Sequence, residues 1–149
     1  MAMQLPEDFK EFLKLLNSAE VQYLLVGGFA VTMHGHPRTT GDMDIWVPTT
    51  KATSTKLLDV LDRFGFGSAG ATEELLLTPG KVIRMGMPPL RIELLTGISG
   101  VEFDDCWSRR DTVEIDGIAI QMISKQDLLV NKRAAGRPQD IADVDKLSE

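Results

Sequence analysis

The sequence predicts a mixed α/β (α+β) domain, with a small mixed sheet of four to six strands and helices packed mainly on one side. Three observations support this prediction. Short apolar runs such as Tyr23–Val26 are too brief for helices and are typical of buried strands. Asp116-Gly117 separates two alternating segments, 112–115 and 118–122, which indicates a β-hairpin with a tight turn. Longer stretches repeat apolar residues at helical spacing.

Apolar spacing, capping residues and glycines place the individual elements along the chain. In order, we expect a helix over 6–17, a strand over 23–26, a short helix over 29–33, a strand over 42–47, a helix over 51–64, paired strands over 81–86 and 90–95, a helix over 101–109, hairpin strands over 112–115 and 118–122, and helices over 124–135 and 138–147. The glycine-rich stretch 65–80 is predicted to be a loop with at most a turn or two of helix. In the last helix, Ile141, Val144 and Leu147 are predicted to form the buried stripe.

Length and composition set limits on the protein class. The chain has 149 residues, enough for one domain, which we assign to 1–149 with a core at 21–123 and C-terminal helices at 124–147. The net charge of −6 argues against broad binding of nucleic acid. A single cysteine, Cys106, excludes an intramolecular disulfide and is expected to be a buried small hydrophobe. There is no long apolar run and no charged-then-apolar leader, so we expect a soluble, cytoplasmic protein without membrane contact.

The stretch 23–47 carries the pattern with the clearest chemical meaning. Gly27-Gly28 follows a predicted strand and precedes a short helix, a place where free backbone N–H groups can hold phosphate. Asp42 and Asp44 open the next strand, and the period of two puts both carboxylates on one face, about 7 Å apart. Two carboxylates beside a phosphate cradle suit divalent metal ions and phosphoryl chemistry.

Glu93 is a third candidate ligand, in the middle of an otherwise apolar strand. An unpaired buried carboxylate is costly, so its presence there needs a reason. If the strand 90–95 lies beside the strand 42–47, Glu93 joins the aspartate cluster. The alternative is a salt bridge between Glu93 and Arg91 or another cation.

With these residues in place, the chain resembles the DNA polymerase β-type nucleotidyltransferase superfamily. The resemblance rests on Gly27-Gly28, on Arg38-x-Thr40-x-Asp42-x-Asp44 and on the later strand carboxylate, and it extends from about Tyr23 to Leu147. The motif formed by the glycine pair and Arg38-x-Thr40-x-Asp42-x-Asp44 is most similar to that of small bacterial proteins grouped with abortive-infection toxins and antibiotic nucleotidyltransferases. It differs in having Glu93 where many members have Asp.

The resemblance implies a nucleotidyltransferase-like fold and Mg²⁺-dependent transfer of a nucleoside monophosphate from an NTP, such as ATP, with release of pyrophosphate. Asp42, Asp44 and Glu93 would be catalytic and would bind metal, in the form of two Mg²⁺ ions. The residues implied to bind nucleotide are Gly27, Gly28, Arg38, Thr40 and Lys132. The acceptor hydroxyl could belong to an RNA end, a protein or a small molecule, and a protein partner or a second subunit could help to hold it.

Other interpretations of the same residues stay open. The aspartates could be a solvated strand end, and Arg38 could pair with Asp42 or Asp44 instead of phosphate. Lys132 and Arg137 could be solvated charges paired with acidic residues of the last helix. The whole chain could be a non-catalytic nucleotidyltransferase-like partner or an antitoxin component. A metal-dependent phosphohydrolase is the least favoured alternative.

Overall fold

The computed structural model describes residues 5–36, 41–65, 71–87 and 90–148. The elements, in chain order, are α1 (Glu7–Ser18), β1 (Leu24–Val26), α2 (Gly27–Met33), β2 (Asp42–Trp46), α3 (Lys51–Phe64), α4 (Glu73–Leu77), β3 (Val82–Met87), β4 (Leu90–Leu95), α5 (Phe103–Ser108), β5 (Asp111–Ile115), β6 (Ile118–Met122), α6 (Lys125–Ala135) and α7 (Pro138–Leu147). Within these ranges, no helix combines the length and the apolar character that crossing a membrane requires.

The six strands form one mixed sheet in the order β3-β4-β2-β1-β6-β5. Strand β2 is parallel to β4 and β1 is parallel to β6, whereas β1–β2, β3–β4 and β5–β6 are antiparallel pairs. Two hairpins, β3–β4 and β5–β6, therefore flank a central pair that carries the glycine turn and the aspartates. The predicted mixed sheet is confirmed.

Aromatic contacts join helices to one another and to the sheet. Phe12 of α1 meets Phe64 of α3 edge to face, with ring centroids 5.1 Å apart. On α5, Phe103 packs against Trp46 at 5.1 Å, so this helix covers the carboxyl end of β2. Trp46 and Cys106 are both buried, and the burial of Cys106 is as predicted. A connected apolar core therefore supports the end of β2 just beyond its aspartates.

Local sequence signals set the ends of several elements. The Thr50 hydroxyl accepts a hydrogen bond from the Thr53 N–H at the start of α3, and Gly65 ends that helix in the left-handed region. Asp116 and Gly117 both have positive φ, 52° and 78°, as a two-residue type I′ turn requires. Ile115 pairs with Ile118 across the turn, and the predicted hairpin is confirmed.

The described part of the stretch 65–80 contains a short helix, α4, whose first turn is capped by the Thr72 hydroxyl and whose length lies within the turn or two of helix expected there. One start differs from the prediction: helix α5 begins at Phe103 and not at Val101, and its N-cap residue Glu102 is extended. The turn between β3 and β4 lies outside the described residues.

The buried face of α7 was predicted wrongly. Ile141 is 48% exposed, and Val144 is only partly buried, although Leu147 is buried as expected. The other buried positions are Asp140 and Asp143, which are 1% and 0% exposed. Apolar spacing could not reveal this, because the two acids are buried against a cation on the preceding helix.

That cation is Lys132 of α6, itself 5% exposed. Its ammonium lies 3.1 Å from Asp140 Oδ1 and 3.1 Å from Asp143 Oδ2. Burial alone would raise the pKa of Asp140, but hydrogen bonds from Arg137 and Lys132 outweigh it and hold the pKa below its usual range. We call Lys132, Asp140 and Asp143 the buried triad; it joins α6 to α7.

We expect Leu147→Ala to lower the free energy of unfolding by about 2–5 kcal/mol, because it empties a fully buried site. Ile141→Ser, on the exposed side of the same helix, should change it by no more than about 0.5 kcal/mol. Urea denaturation of both variants measures the difference. A larger loss for Ile141→Ser than for Leu147→Ala would contradict this assignment of the buried face.

Lys132→Met should lower the free energy of unfolding by about 3–5 kcal/mol at neutral pH, because it leaves Asp140 and Asp143 buried without their shared cation. Arg133→Met, at the exposed next position of α6, is the matched control and should cost no more than about 0.5 kcal/mol. Equal effects of the two substitutions in urea denaturation would show that the triad contributes nothing.

Candidate functional site

One cleft brings together the polar residues of the central strands and the C-terminal helices. Its volume is about 630 Å³. We call it the carboxylate cleft; it is lined by Val26, Gly27, Gly28, Asp42, Asp44, Arg84, Glu93, Leu95, Gly97, Ile98, Ser99, Asn131, Lys132, Ala135, Arg137, Gln139 and Asp140. Every predicted site residue that the structure describes is in this set.

The register of the parallel strands places two carboxylates side by side. Asp44 of β2 is the partner of Glu93 on β4, and Asp42 is the partner of Arg91. Strand β4 therefore lies beside β2, as predicted, and Glu93 joins the aspartates at the strand edge. Ile92 and Leu94 alternate with these polar positions and are buried on the opposite face.

Asp44 is in the most unusual environment of the three acids. Burial raises its pKa to about 7, and repulsion from Glu93, a hydrogen bond with Glu93 and the charge of Asp42 act in the same direction. The positive charge of Lys132 lowers the pKa again by a smaller amount. One oxygen, Oδ1, is buried and has no hydrogen-bond partner in the described part of the chain. An orphaned carboxylate oxygen of this kind has room for a cation or a donor.

Arginines engage the other two carboxylates. Arg91 donates from Nε to Asp42 Oδ1 and from Nη2 to Asp42 Oδ2, both at 3.2 Å. Arg84 donates from Nε to Glu93 Oε1 at 3.2 Å. The alternative expected for Glu93, a salt bridge with a neighbouring cation, is thus present together with its place beside Asp44. Arg84 was missed by the sequence analysis, although its position between Ile83 and Met85 on the strand paired with β4 points it toward Glu93.

The carboxylates do not form a ready metal site. In the ranges that the structure describes, no three His, Cys, Asp or Glu side chains form a group that could hold a metal ion as they stand. Arginine guanidinium groups bind oxygens of Asp42 and Glu93 instead. The donors are nevertheless the hard oxygens that Mg²⁺ prefers, and the unpartnered oxygen of Asp44 fits a cation.

Gly27 is required by two separate features of the site. Its φ is +69°, a conformation that costs a non-glycine residue energy. A Cβ added at Gly27 would also overlap the Asp44 carboxylate at Oδ2. The backbone at the start of α2 therefore passes directly against the carboxylate, which a side chain at this position would prevent.

Two cations from the C-terminal helices reach the cleft from the other side. Lys132 is held in the buried triad, so the pairing considered for it is present, but within the protein and not in solvent. Arg137 is largely exposed and donates from Nε to Asp140 Oδ2 at 2.7 Å. Asp140 also accepts a hydrogen bond from the Arg137 backbone N–H and so caps α7. Both cations line the cleft.

Arg38 and Thr40, the other two predicted nucleotide-binding residues, lie outside the described residues. Their roles stay predictions. Among the described residues, Arg91 pairs with Asp42 at 3.2 Å and with Glu93 at 4.0 Å, and Arg84 pairs with Glu93 at 3.2 Å.

We expect Gly27→Ala to destabilise the protein more than Gly35→Ala. Gly35 also has positive φ, +101°, but a Cβ there would meet nothing within 4 Å, so it pays only the backbone strain of about 1–2 kcal/mol. Gly27→Ala adds the collision with Asp44. In an Asp44→Ala background most of the extra cost should vanish, because the colliding carboxylate is gone and only the Cβ of residue 44 stays close, and a double-mutant cycle of urea denaturation measures this coupling. No coupling would contradict the close approach.

A comparison with protein-family models identifies one match. Residues 6–149 match the family described as "Nucleotidyl transferase of unknown function (DUF2204)". The match covers nearly the whole chain. No curated protein matches the sequence.

Solved structures share the fold at low sequence identity. The lincosamide antibiotic adenylyltransferase LnuA, in its lincomycin-bound form, is 16% identical with a TM-score of 0.58, over 97% of this chain and 97% of that one. A nucleotidyltransferase-type protein from Thermotoga maritima is 14% identical with a TM-score of 0.58, over 99% and 94%. ANT(2″)-Ia, in complex with adenylyl-2″-tobramycin, is 12% identical with a TM-score of 0.59, over 93% and 84%. Since the family model matches almost every residue and these structures share the fold, the chain belongs to the nucleotidyl transferase family of unknown function and is a nucleotidyltransferase.

Proposed function

We propose that the protein transfers a nucleoside monophosphate from an NTP to a hydroxyl group, with Mg²⁺, and releases pyrophosphate. The observation that supports this most is the juxtaposition of Asp44 and Glu93 on parallel strands, against the Gly27 turn and within one cleft with Lys132. Carboxylates on one side and cations on the other suit a metal-bound triphosphate.

Asp42, Asp44 and Glu93 would hold two Mg²⁺ ions. When bound, the ions neutralise the triphosphate and the charge that develops during transfer. Asp44 offers the buried oxygen, Oδ1, that has no hydrogen-bond partner among the described residues. Asp42 and Glu93 would exchange the guanidinium groups of Arg91 and Arg84 for metal, and their partial exposure makes that exchange feasible.

The phosphates would lie between the glycine turn and the cations. The backbone at Gly27 and Gly28 lines the cleft without side chains and so allows close approach. Lys132 would act on the phosphates through its positive charge alone, because its ammonium is already paired with Asp140 and Asp143. The exposed guanidinium of Arg137 can turn toward a phosphate and donate hydrogen bonds to it. Arg38 and Thr40 complete the proposed set of nucleotide-binding residues.

The acceptor supplies a hydroxyl near Glu93, which would take up its proton as the oxygen attacks. Two of the structural neighbours hold small molecules. The lincosamide antibiotic adenylyltransferase has lincomycin bound, and ANT(2″)-Ia is in complex with adenylyl-2″-tobramycin. These neighbours favour a small-molecule acceptor here over an RNA end or a protein. The net charge of −6 favours the same choice over RNA.

Calorimetric titration with a non-hydrolysable ATP analogue, with and without Mg²⁺, tests the proposal. The wild type should bind in a Mg²⁺-dependent manner, and Asp42→Asn/Asp44→Asn should bind at least about tenfold more weakly, because the metal-binding oxygens are lost. Glu114→Gln, at an exposed position on the edge strand β5, is the matched control and should bind like the wild type.

Loss of binding must be separated from loss of folding. The double variant should unfold at nearly the same urea concentration as the wild type, because relief of the repulsion between Asp44 and Glu93 offsets the loss of the partly exposed Asp42–Arg91 ion pair. Equal, Mg²⁺-independent binding by the wild type and a folded double variant would contradict the proposed site.

A further inference from the structure

A second cleft opens beside the carboxylate cleft. We call it the Trp46 cleft: it extends from Trp46–Thr50 at the end of β2 to 101–104 at the start of α5, and its volume is about 710 Å³. Residues 97–99 line both clefts. Trp46 lies on the same face of β2 as Asp44, two residues further along. The second cleft therefore begins where the carboxylates end.

Internal hydrogen bonds fix one wall of the Trp46 cleft. The buried Thr96 hydroxyl donates to the Thr78 carbonyl at 2.7 Å and accepts from the Lys81 N–H at 2.7 Å. Gly97 packs so closely that a Cβ there would come within 2.9 Å of the Gly80 nitrogen. The wall is thus built before any ligand arrives, as is usual for small-molecule sites.

The wall shared by the two clefts is attached to α6. Asn131 donates from Nδ2 to the Ser99 carbonyl at 3.0 Å. Gly100 has positive φ and packs against Ala134, where a Cβ would come within 2.6 Å of the Ala134 Cβ. Helix α6 also carries Lys132, so the same element positions this wall and a cation of the carboxylate cleft.

The two clefts differ in the charges that line them. Among the described residues that line the Trp46 cleft, the charged ones are Glu102 and Asp104, and none is Lys, Arg or His. Both acids are exposed, and neither forms an ion pair in the described part of the chain. The carboxylate cleft, in contrast, carries both signs of charge, because Arg84, Lys132 and Arg137 line it together with Asp42, Asp44, Glu93 and Asp140. The acidic residues of the Trp46 cleft repel a polyanion and attract a protonated amine.

We propose that the Trp46 cleft binds the acceptor, and that the acceptor is a small hydroxyl-bearing molecule with protonated amines, about the size of a disaccharide. This inference rests on the proposed nucleotidyl transfer. The volume lies within the range of small-molecule sites, and Thr49 and Ser99 add polar groups to the wall. Bound there, the molecule presents a hydroxyl at the shared wall, toward Glu93.

The transfer then balances without a further reactant. The acceptor oxygen forms a bond to the α-phosphorus while the bond from that phosphorus to the bridging oxygen breaks. Pyrophosphate leaves with the electron pair, and the hydroxyl proton passes to Glu93 and then to solvent.

Calorimetric titration with a disaccharide of two glucosamine units tests the proposal, with cellobiose as the neutral counterpart that has hydroxyls in place of the amines. At low salt the wild type should bind the diamine at least about tenfold more tightly than cellobiose. Glu102→Gln and Asp104→Asn should each weaken diamine binding several-fold. Asp105→Asn should leave it unchanged, because Asp105 is the next residue on α5, is exposed and does not line the cleft.

A second titration tests whether the diamine and the nucleotide bind at separate sites. With saturating ATP analogue and Mg²⁺ present, the diamine should still bind, with affinity equal to or higher than without nucleotide. The proposal is overturned if the diamine and cellobiose bind alike, if neither binds, if Asp105→Asn weakens binding as much as Asp104→Asn, or if the nucleotide displaces the diamine.

The two proposals fail in different ways. If the ATP analogue does not bind while the diamine does, nucleotidyl transfer is refuted and the acceptor role falls with it. If the ATP analogue binds as expected while the diamine does not, only the acceptor assignment is refuted.

Discussion

The carboxylates of Asp44 and Glu93 stand on neighbouring parallel strands, and much of the surrounding structure compensates for their repulsion. The strand register fixes both acids at the same level of the sheet, and burial removes the solvent that would screen them. The pKa of Asp44 rises to about 7 as a result. Holding such a pair costs stability, and residues that are strained or repulsive in this way concentrate at functional sites.

The compensating charges come from β3, β4 and α6, and they differ in how exposed they are. Arg84 and Arg91 arrive from the β3–β4 hairpin on flexible side chains and bind Glu93 and Asp42 directly. Lys132 is fixed inside the buried triad, so it contributes a steady field to Asp44 without a hydrogen bond. The two arginine side chains are partly exposed, whereas the lysine cannot leave without breaking the contact between α6 and α7.

Sequence reasoning succeeded where the signal is local. The Asp116-Gly117 hairpin, the Thr50 cap and the glycine ends of α3 and α6 depend on neighbouring residues, and they are where the sequence puts them. The pairing of β4 with β2 was inferred from one costly residue, Glu93, which needed a polar neighbour.

It failed where distant charges decide the packing. The spacing of apolar residues in α7 put Ile141 inside, but the interior position goes to Asp140 and Asp143, because Lys132 of the preceding helix is buried with them. Nothing in the spacing of one helix reveals such a contact. The two clefts were equally hidden, since the wall they share is set by Thr96 and Asn131 through contacts 15 to 32 residues apart along the chain.

That shared wall links the chemistry of the site to the packing of the C-terminal helices. Asp140 binds Lys132, caps α7 through the Arg137 N–H and holds the Arg137 side chain at the cleft. Buried ion pairs add little net stability compared with apolar packing, but their geometry is directional. In the triad, one ammonium lies 3.1 Å from an oxygen of each aspartate, so Lys132 of α6 meets two positions of α7 at once. Because α6 also holds the Ser99 carbonyl, the same contact sets the distance between the cations of one cleft and the wall of the other.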